Sequence, residues 1–342
     1  MVNLKLEFAY PYYSNQYGII SGAYPDNVPF SELVKVTEDS KVIECFTSLI
    51  GEVLHAPLVA TTETDKSHLN LITSVIQDLG MIDLCMAIGS TLITGKSFQE
   101  IIWDKVGDML LPVRFIPRDA SILHYRFTDP RTGIEPLLWL RGQYHKVPRR
   151  KIMITNYWSI PNTDPNGQGL GEALLPYVKL REQALQDWAK FSSTFAEPTR
   201  IGYYPLNASD SEIIEFNRFI AAMGQARGAT LPEGFTVEFI DPPNVTSGLQ
   251  DKFYNVVNQE INLLILGEST SGVQHTGTST KDLISIGIRR IRAEILANLV
   301  TRTLNNTIVK WISELHFPSS PIPKLKFEFP EDTDRDSKAS SR

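Results

Sequence analysis

Residues 94–97, Thr94-Gly95-Lys96-Ser97, end in the Gly-Lys-Ser trio with which a P-loop wraps phosphates. That chemistry needs a glycine five residues before the Gly-Lys pair, so that backbone N–H groups can curl around the anion. Ser90 stands there, with Gly89 one place off, and β-like sequence follows where a P-loop leads into a helix. A helix C-cap before a strand is the better reading. Gly167, Gly169 and Gly171 imitate a dinucleotide turn, but the spacing is off by one and no buried aliphatic strand leads into them. They read as a hinge or as the approach to a helix. The six histidines (His55, His68, His124, His145, His275, His316) share no helical pair spacing and no cysteine partner, so a zinc site has no support. No nucleophile elbow supports Ser/His/Asp catalysis. Acid pairs such as Glu331/Asp332 lie in a charged tail. The chain therefore reads as a non-enzyme without cofactor or metal. The one basic cluster that stands out is Arg289, Arg290 and Arg292, either a helix face paired to nearby acids or a surface for DNA or a subunit.

The elements that carry these residues begin with Gly169 to Pro198. Leu174, Val178, Leu185, Trp188 and Phe195 recur at three, four or seven, and Tyr177, Leu180, Ala184 and Phe191 repeat the pattern on an adjoining face. This spacing predicts a helix of roughly seven turns whose apolar stripe is wider than a lone surface helix needs. Pro176 falls near its start and Pro198 ends it. Such a helix is a core helix or packs against copies of itself.

Before it, residues 1–37 are rich in Tyr, Pro, Gly and Asn and read as an extended arm or loops. Asp39 or Ser40 caps a helix to about His55, Ser67 caps a second, and an apolar stretch runs from Ile82 to Ile93. Short β-like runs follow at 97–103, 110–117, 122–127, 137–140 and 152–157, giving an α+β unit with a small antiparallel sheet. After the long helix comes a strand at 201–204. A helix capped by Ser209 with Glu212 follows, then a hairpin or strand pair at 229–240 turning at Pro232-Glu233-Gly234. A helix over about 245–266, a polar loop at 267–280, one long helix over about 280–316, a strand at 324–329 and a charged tail complete the chain.

At 342 residues two or three compact parts are expected. The net charge of −6 argues against a sequence-reading DNA binder, while a mildly acidic lining suits a duplex that must slide past. Cys45 and Cys85 lie in apolar helical runs and read as buried free thiols. The N-terminus lacks signal-peptide character and no apolar run approaches a membrane span, so a soluble protein is expected.

The order of α+β unit, long helix, αβ insert, long helix, polar loop and long helix resembles the portal proteins of tailed bacteriophages, most closely the Mu-like portal family. The matching stretches are GLGEALLPY (169–177), DWAKF (187–191), Phe195 to Pro198 leading into IGYYP (201–205), LPEGFTVEFID (231–241) and NQEINLLILGES (258–269), followed by a Gly-Thr-rich loop. Their order and spacing carry the likeness over roughly residues 40 to 315. The resemblance implies a portal-like α+β fold. Residues 1–37 form an arm, 38–165 with 281–317 a wing, 166–198 and 243–266 the two stem helices, 199–242 a clip, and 267–280 a tunnel loop; 318–342 form a C-terminal strand and disordered tail. Ala196 stands where the family often has Gly, and the chain ends soon after the last long helix, so a crown is expected to be short or absent.

What the resemblance further implies is a virion protein at one capsid vertex, made in the host cytoplasm. It would form a ring of about twelve subunits through which double-stranded DNA is packaged and ejected. Its expected partners are further copies of itself, the terminase large subunit, a head–tail adaptor and the major capsid protein or scaffold, with no membrane. The channel residues would be Lys252, Gln274, His275, Thr276 and Lys281. The clip contacts would be Arg200, Tyr203, Tyr204, Glu233 and Phe235. The subunit contacts would be Leu174, Val178, Trp188, Phe253, Arg289, Arg290 and Arg292. The competing expectations are a head–tail adaptor or other structural ring without DNA contact, and a nucleotide hydrolase whose turnover would vanish in Lys96→Ala.

Overall fold

A computed structural model describes residues 19–20, 28–61, 65–129, 133–157, 166–195, 199–223, 231–240, 247–268 and 280–329. The chain divides into two compact units, 1–178 with 259–342, and 179–258.

The larger unit starts with a two-residue strand, β1 (Ile19–Ile20), and a helix, α1 (Phe30–Glu38), where the composition predicts only arm or loops. Leu33 and Val36 bury one face of that helix, enough to override its Pro- and Gly-rich approach. Helix α2 (Ser40–His55) is capped as expected, because the Asp39 carboxylate accepts from the Lys41 and Val42 N–H groups at 2.8 and 3.1 Å. After β2 (Leu58–Ala60), helix α3 (Lys66–Leu79) takes its cap from Asp65, which accepts the Ser67 N–H; Ser67 is thus inside the helix instead of capping it. The apolar stretch beyond becomes α4 (Met81–Gly89) and a single turn, α5 (Thr91–Thr94).

The strands follow the β-like runs. β3 (Lys96–Val106) lies between β4 (Met109–Arg118) and β8 (Ile152–Asn156), antiparallel to both. A second sheet runs β1, β5 (Leu123–Asp129), β6 (Gly133–Leu140), β7 (Gln143–Lys146), again antiparallel. β7 has no counterpart in the sequence reading, since QYHK lacks apolar alternation and all four residues are exposed.

The closing helix is α9 (Thr280–Leu304), a π turn at Asn305–Val309, and α10 (Lys310–His316). The π turn sits where the Asn305 amide pairs with the backbone of Leu325 in β11 (Leu325–Phe327), donating to its carbonyl and accepting its N–H, both at 2.9 Å. A surplus residue in the turn aims the amide at the strand. α9 lays Ala293, Leu296, Ala297 and Val300 into the core against α2 and α4. Gly89 marks the tightest point: a Cβ there would stand 3.1–3.3 Å from Phe46, Ile50 and Leu296. Cys45 and Cys85 are free and buried, and burial pushes their thiols up to about 11 and about 12.

The smaller unit holds β9 (Thr199–Tyr203), α7 (Asp210–Ala222) and β10 (Thr236–Ile240), flanked by parts of α6 (Gly171–Phe195) and α8 (Ser247–Leu266). The capping box on α7 is present, with the Ser209 N–H bonded to Glu212 Oε2 at 2.8 Å and the Glu212 N–H to Ser209 Oγ at 3.4 Å. Of the expected hairpin or strand pair at 229–240, residues 229 and 230 lie outside the described residues. β10 pairs antiparallel with β9, and Glu233-Gly234 is a turn leading into it.

Candidate ring and channel surfaces

The Gly-Lys-Ser segment is not a phosphate cradle. Gly95 (φ 83°) caps α5 at its C-terminus and Lys96 opens β3, fully buried. Its ammonium donates to the Leu123 carbonyl at 2.8 Å and to Asn166 Oδ1 at 2.9 Å. The glycine run also has a packing reason: the chain at 167–171 passes against the backbone of Ile93–Gly95. A Cβ on Gly169 would stand 2.0 Å from the Ile93 carbonyl oxygen, so only glycine allows this approach to α6. The Leu170 N–H donates to the Leu92 carbonyl and the Tyr157 N–H to the Gly95 carbonyl, fixing the crossing.

In the smaller unit α6 and α8 are tied by one buried cation. Arg181 Nε donates to Asn258 Oδ1 at 3.0 Å, its Nη2 to the Tyr254 hydroxyl at 2.9 Å, and the guanidinium lies 5.3 Å from the Tyr254 ring centre. Guanidinium stacking with hydrogen bonds from the same group is Arg chemistry that Lys could not replace. The sequence reading missed Arg181, because its partners lie more than seventy residues away.

Elsewhere this unit is open. Leu180, Leu185 and Trp188 on α6 and Phe253 and Val256 on α8 are exposed, as are Tyr203, Tyr204, Leu206, Ile214 and Phe239. Among its described residues only Phe216 and Val257 are buried apolar side chains. Phe216 meets Phe235 edge-on at 4.9 Å, which half-buries Phe235. The Tyr203 hydroxyl donates to Glu238 at 3.0 Å, and the neighbouring carboxylate raises its pKa. Arg200 is half-buried and Glu233 exposed.

Of the expected channel residues, Lys252 is exposed on α8, while Gln274, His275, Thr276 and the Lys281 side chain lie outside the described residues. Among the expected subunit contacts, Trp188 and Phe253 are exposed and Val178 is half-buried. Leu174 is a correction: it is fully buried within its own chain and has no surface to offer a neighbour. Arg289 pairs within the chain with Glu52 at 3.8 Å and Glu268 at 3.6 Å, and Arg290 with Glu294 at 3.3 Å while lying 6.0 Å from the Phe329 ring centre. Arg292 is half-buried, with Nε 3.4 Å from where a Cβ on Gly267 would stand. This cluster is not the largest basic surface. Residues 141–151 carry Arg141, Lys146, Arg149, Arg150 and Lys151 without one acid.

Among the described residues no group of His, Cys, Asp or Glu could hold a metal ion, and no single helix is long and apolar enough to cross a membrane.

Comparison with known proteins adds the family. Residues 32–341 match the family described as portal protein of Mu bacteriophage. The portal protein of Escherichia phage Mu is 22% identical over 291 residues, and the Mu-like prophage FluMu protein gp29 of Haemophilus influenzae is 24% identical over 292. Each match takes in 81% of this chain and 54% of the relative, so the chain spans about half the length of these curated relatives. Among solved structures, a chain from the virion of a native gene transfer agent particle superposes with a TM-score of 0.64 at 12% identity, over 96% of this chain and 91% of the other. A chain from the neck of the native particle, computed with C12 symmetry, gives 0.63 at 14%, over 94% and 91%. The fold is shared with those chains, and by the match over 32–341 this chain belongs to the family of portal proteins of Mu bacteriophage.

Proposed function

We propose that the chain is the subunit of a portal ring of about twelve copies at one capsid vertex, through which double-stranded DNA is packaged and later released. The observation that carries the ring is the smaller unit, with ten large apolar side chains exposed and two buried among its described residues. So much exposed apolar surface marks an interface, and a head-to-tail ring covers it on every copy at once. Family membership and the likeness to a neck chain of C12 symmetry support the same reading.

In this reading α6 and α8 are the stem, held as a pair by Arg181, and 199–242 is the clip. Tyr203, Tyr204 and Glu233 would meet the terminase large subunit first and the head–tail adaptor afterwards. Residues 267–280 would line the channel, where the chain's net charge of −6 keeps phosphate from sticking. Lys252, Gln274, His275, Thr276 and Lys281 would give only weak contacts to the duplex. The test is electron microscopy of the purified chain together with a variant in which 268–279 is replaced by a short Gly-Ser linker. Both should form rings with a central hole, and only the variant should package or retain less DNA. Rings from both with equal DNA yield would leave a structural ring without a channel role for this loop.

A further inference from the structure

Charge is unevenly placed along this chain. Residues 120–156 carry seven Lys and Arg against two acids, a net charge of +5 inside a chain of −6. The excess is greatest where the chain is most exposed. Of the residues 139–151 all but Val147 are exposed, five are Arg or Lys, and none is acidic. A merely solvated face intersperses both signs. This one does not.

Strand geometry gathers these residues on one built surface. Alternation along β6 and β7 turns Leu138 inward, where it packs with Phe98, Ala120, Leu123 and Tyr125, and leaves Trp139, Tyr144 and Lys146 on the outer side. Trp139 stands opposite Tyr144 with ring centres 4.5 Å apart, and the His124 ring meets Tyr144 edge-on at 5.4 Å. Arg141 (φ 52°) lies in the β6–β7 turn, and Arg149, Arg150 and Lys151 lie in the turn after β7. That second turn is fastened to β3. Trp103 Nε1 donates to the Arg150 carbonyl at 2.6 Å, and the Ile101 N–H donates to the Lys151 carbonyl at 2.7 Å. The cations thus stand on fixed backbone, which lowers the ordering cost of binding.

The carboxylates at hand do not neutralise this surface, because each is shared between two cations. Glu135 serves Arg126 and Lys146, Glu100 serves Arg118 and Lys151, and Glu314 serves Arg150 and Lys310. Arg141 and Arg149 are exposed without an ion pair among the described residues. What is left over is positive charge, with a Tyr hydroxyl and an indole N–H among it. Arg, Lys and Tyr are groups that bond phosphate oxygens. Trp139 and Tyr144 pack on each other, which suits contact with a backbone better than stacking between separated bases. The four extended residues of β7 cover about 13 Å, the rise of about four phosphates along one strand of a duplex.

We infer that the outer face of β5–β7, with the turn that follows it, binds the phosphate backbone of double-stranded DNA without reading its sequence. This is a nucleic-acid surface in addition to the proposed channel residues. A single copy carries all of it, so the inference does not need the ring.

The test is fluorescence anisotropy of a labelled 30-base-pair duplex with the purified full chain in single copies, between about 50 and 200 mM salt. Circular dichroism confirms the fold of each variant. Arg141→Asn with Arg149→Gln removes two cations of the face, and Asn tolerates the left-handed backbone at 141. Lys324→Gln with Lys326→Gln makes the same change of net charge at exposed positions in and beside β11. The first variant should bind about tenfold or more weakly than wild type, and its slope of log affinity against log salt should be shallower by about 2. The second variant should match wild type. No binding by wild type, or equal losses in both variants, would overturn the inference. So would a single strand of the same length that displaces the duplex as well as unlabelled duplex does. Equal displacement by polyglutamate of the same charge would overturn it too, and would assign the face to an acidic protein surface. Single copies that bind duplex while no ring forms would uphold this surface and overturn only the ring reading.

Discussion

The two units of the chain bury themselves to very different degrees. Among the described residues the larger unit holds forty-two buried apolar side chains and the smaller only two, while the smaller still exposes ten large ones. Burial of apolar surface is the main favourable term in folding, so the larger unit carries most of what holds a single copy folded. The smaller unit has its helix cap, its Arg181 clasp and one strand pair, but little core. In the proposed ring, other copies would supply part of its order. A chain built this way can fold first and assemble second.

The sharpest way to break the comparison is Gly169→Ala in the larger unit. The new methyl would meet the Ile93 carbonyl, part of a backbone crossing that cannot step aside, so a loss of about 3 kcal/mol or more is expected. Urea unfolding of the dissociated chain reads it, and a wild-type midpoint would refute the close approach.

The next effect sets one unit against the other. Leu49→Ala removes a fully buried side chain and should cost about 2–5 kcal/mol in the dissociated chain. Trp188→Ala, at an exposed position, should change that stability by no more than about 0.5 kcal/mol yet weaken assembly. Equal losses from both would erase the distinction.

The smallest effect is a pH dependence confined to the larger unit. His68 is buried, donates to or accepts from Ser313 Oγ at 2.8 Å, stacks on Phe317 at 4.1 Å, and its pKa is lowered from 6.5 by burial, with Asp65 pulling the other way. Below about pH 6.5 the unfolded chain therefore binds a proton that the folded chain resists, and stability falls with pH through that window. The melting temperature should drop between pH 7 and pH 5, and His68→Gln should remove part of the drop. A slope unchanged in the variant would show that the ring titrates without consequence.

What the sequence made legible was whatever is decided locally. Asp39 and Ser209 announce their helices through side chains that reach their own first turn, and α6 declares itself by spacing alone. What it hid depends on distant partners. β10 pairs with β9 across more than thirty residues, a partner that nothing in the local sequence names. The run at 167–171 has the glycines of a hinge, and only the backbone of Ile93–Gly95 explains them. The basic run at 141–151 lies in one stretch but in turns and in β7, where no apolar alternation draws the eye. For the site, Trp188 and Phe253 are exposed, whereas periodicity could not show that Leu174 belongs to the core of its own chain.

Hydrogen exchange compared between the dissociated chain and the assembled particle tests the division of labour most directly. Protection already high in α2, α4 and α9 in the single copy, with residues 179–258 gaining theirs only on assembly, is the result expected. Equal protection of 179–258 in both states would contradict it.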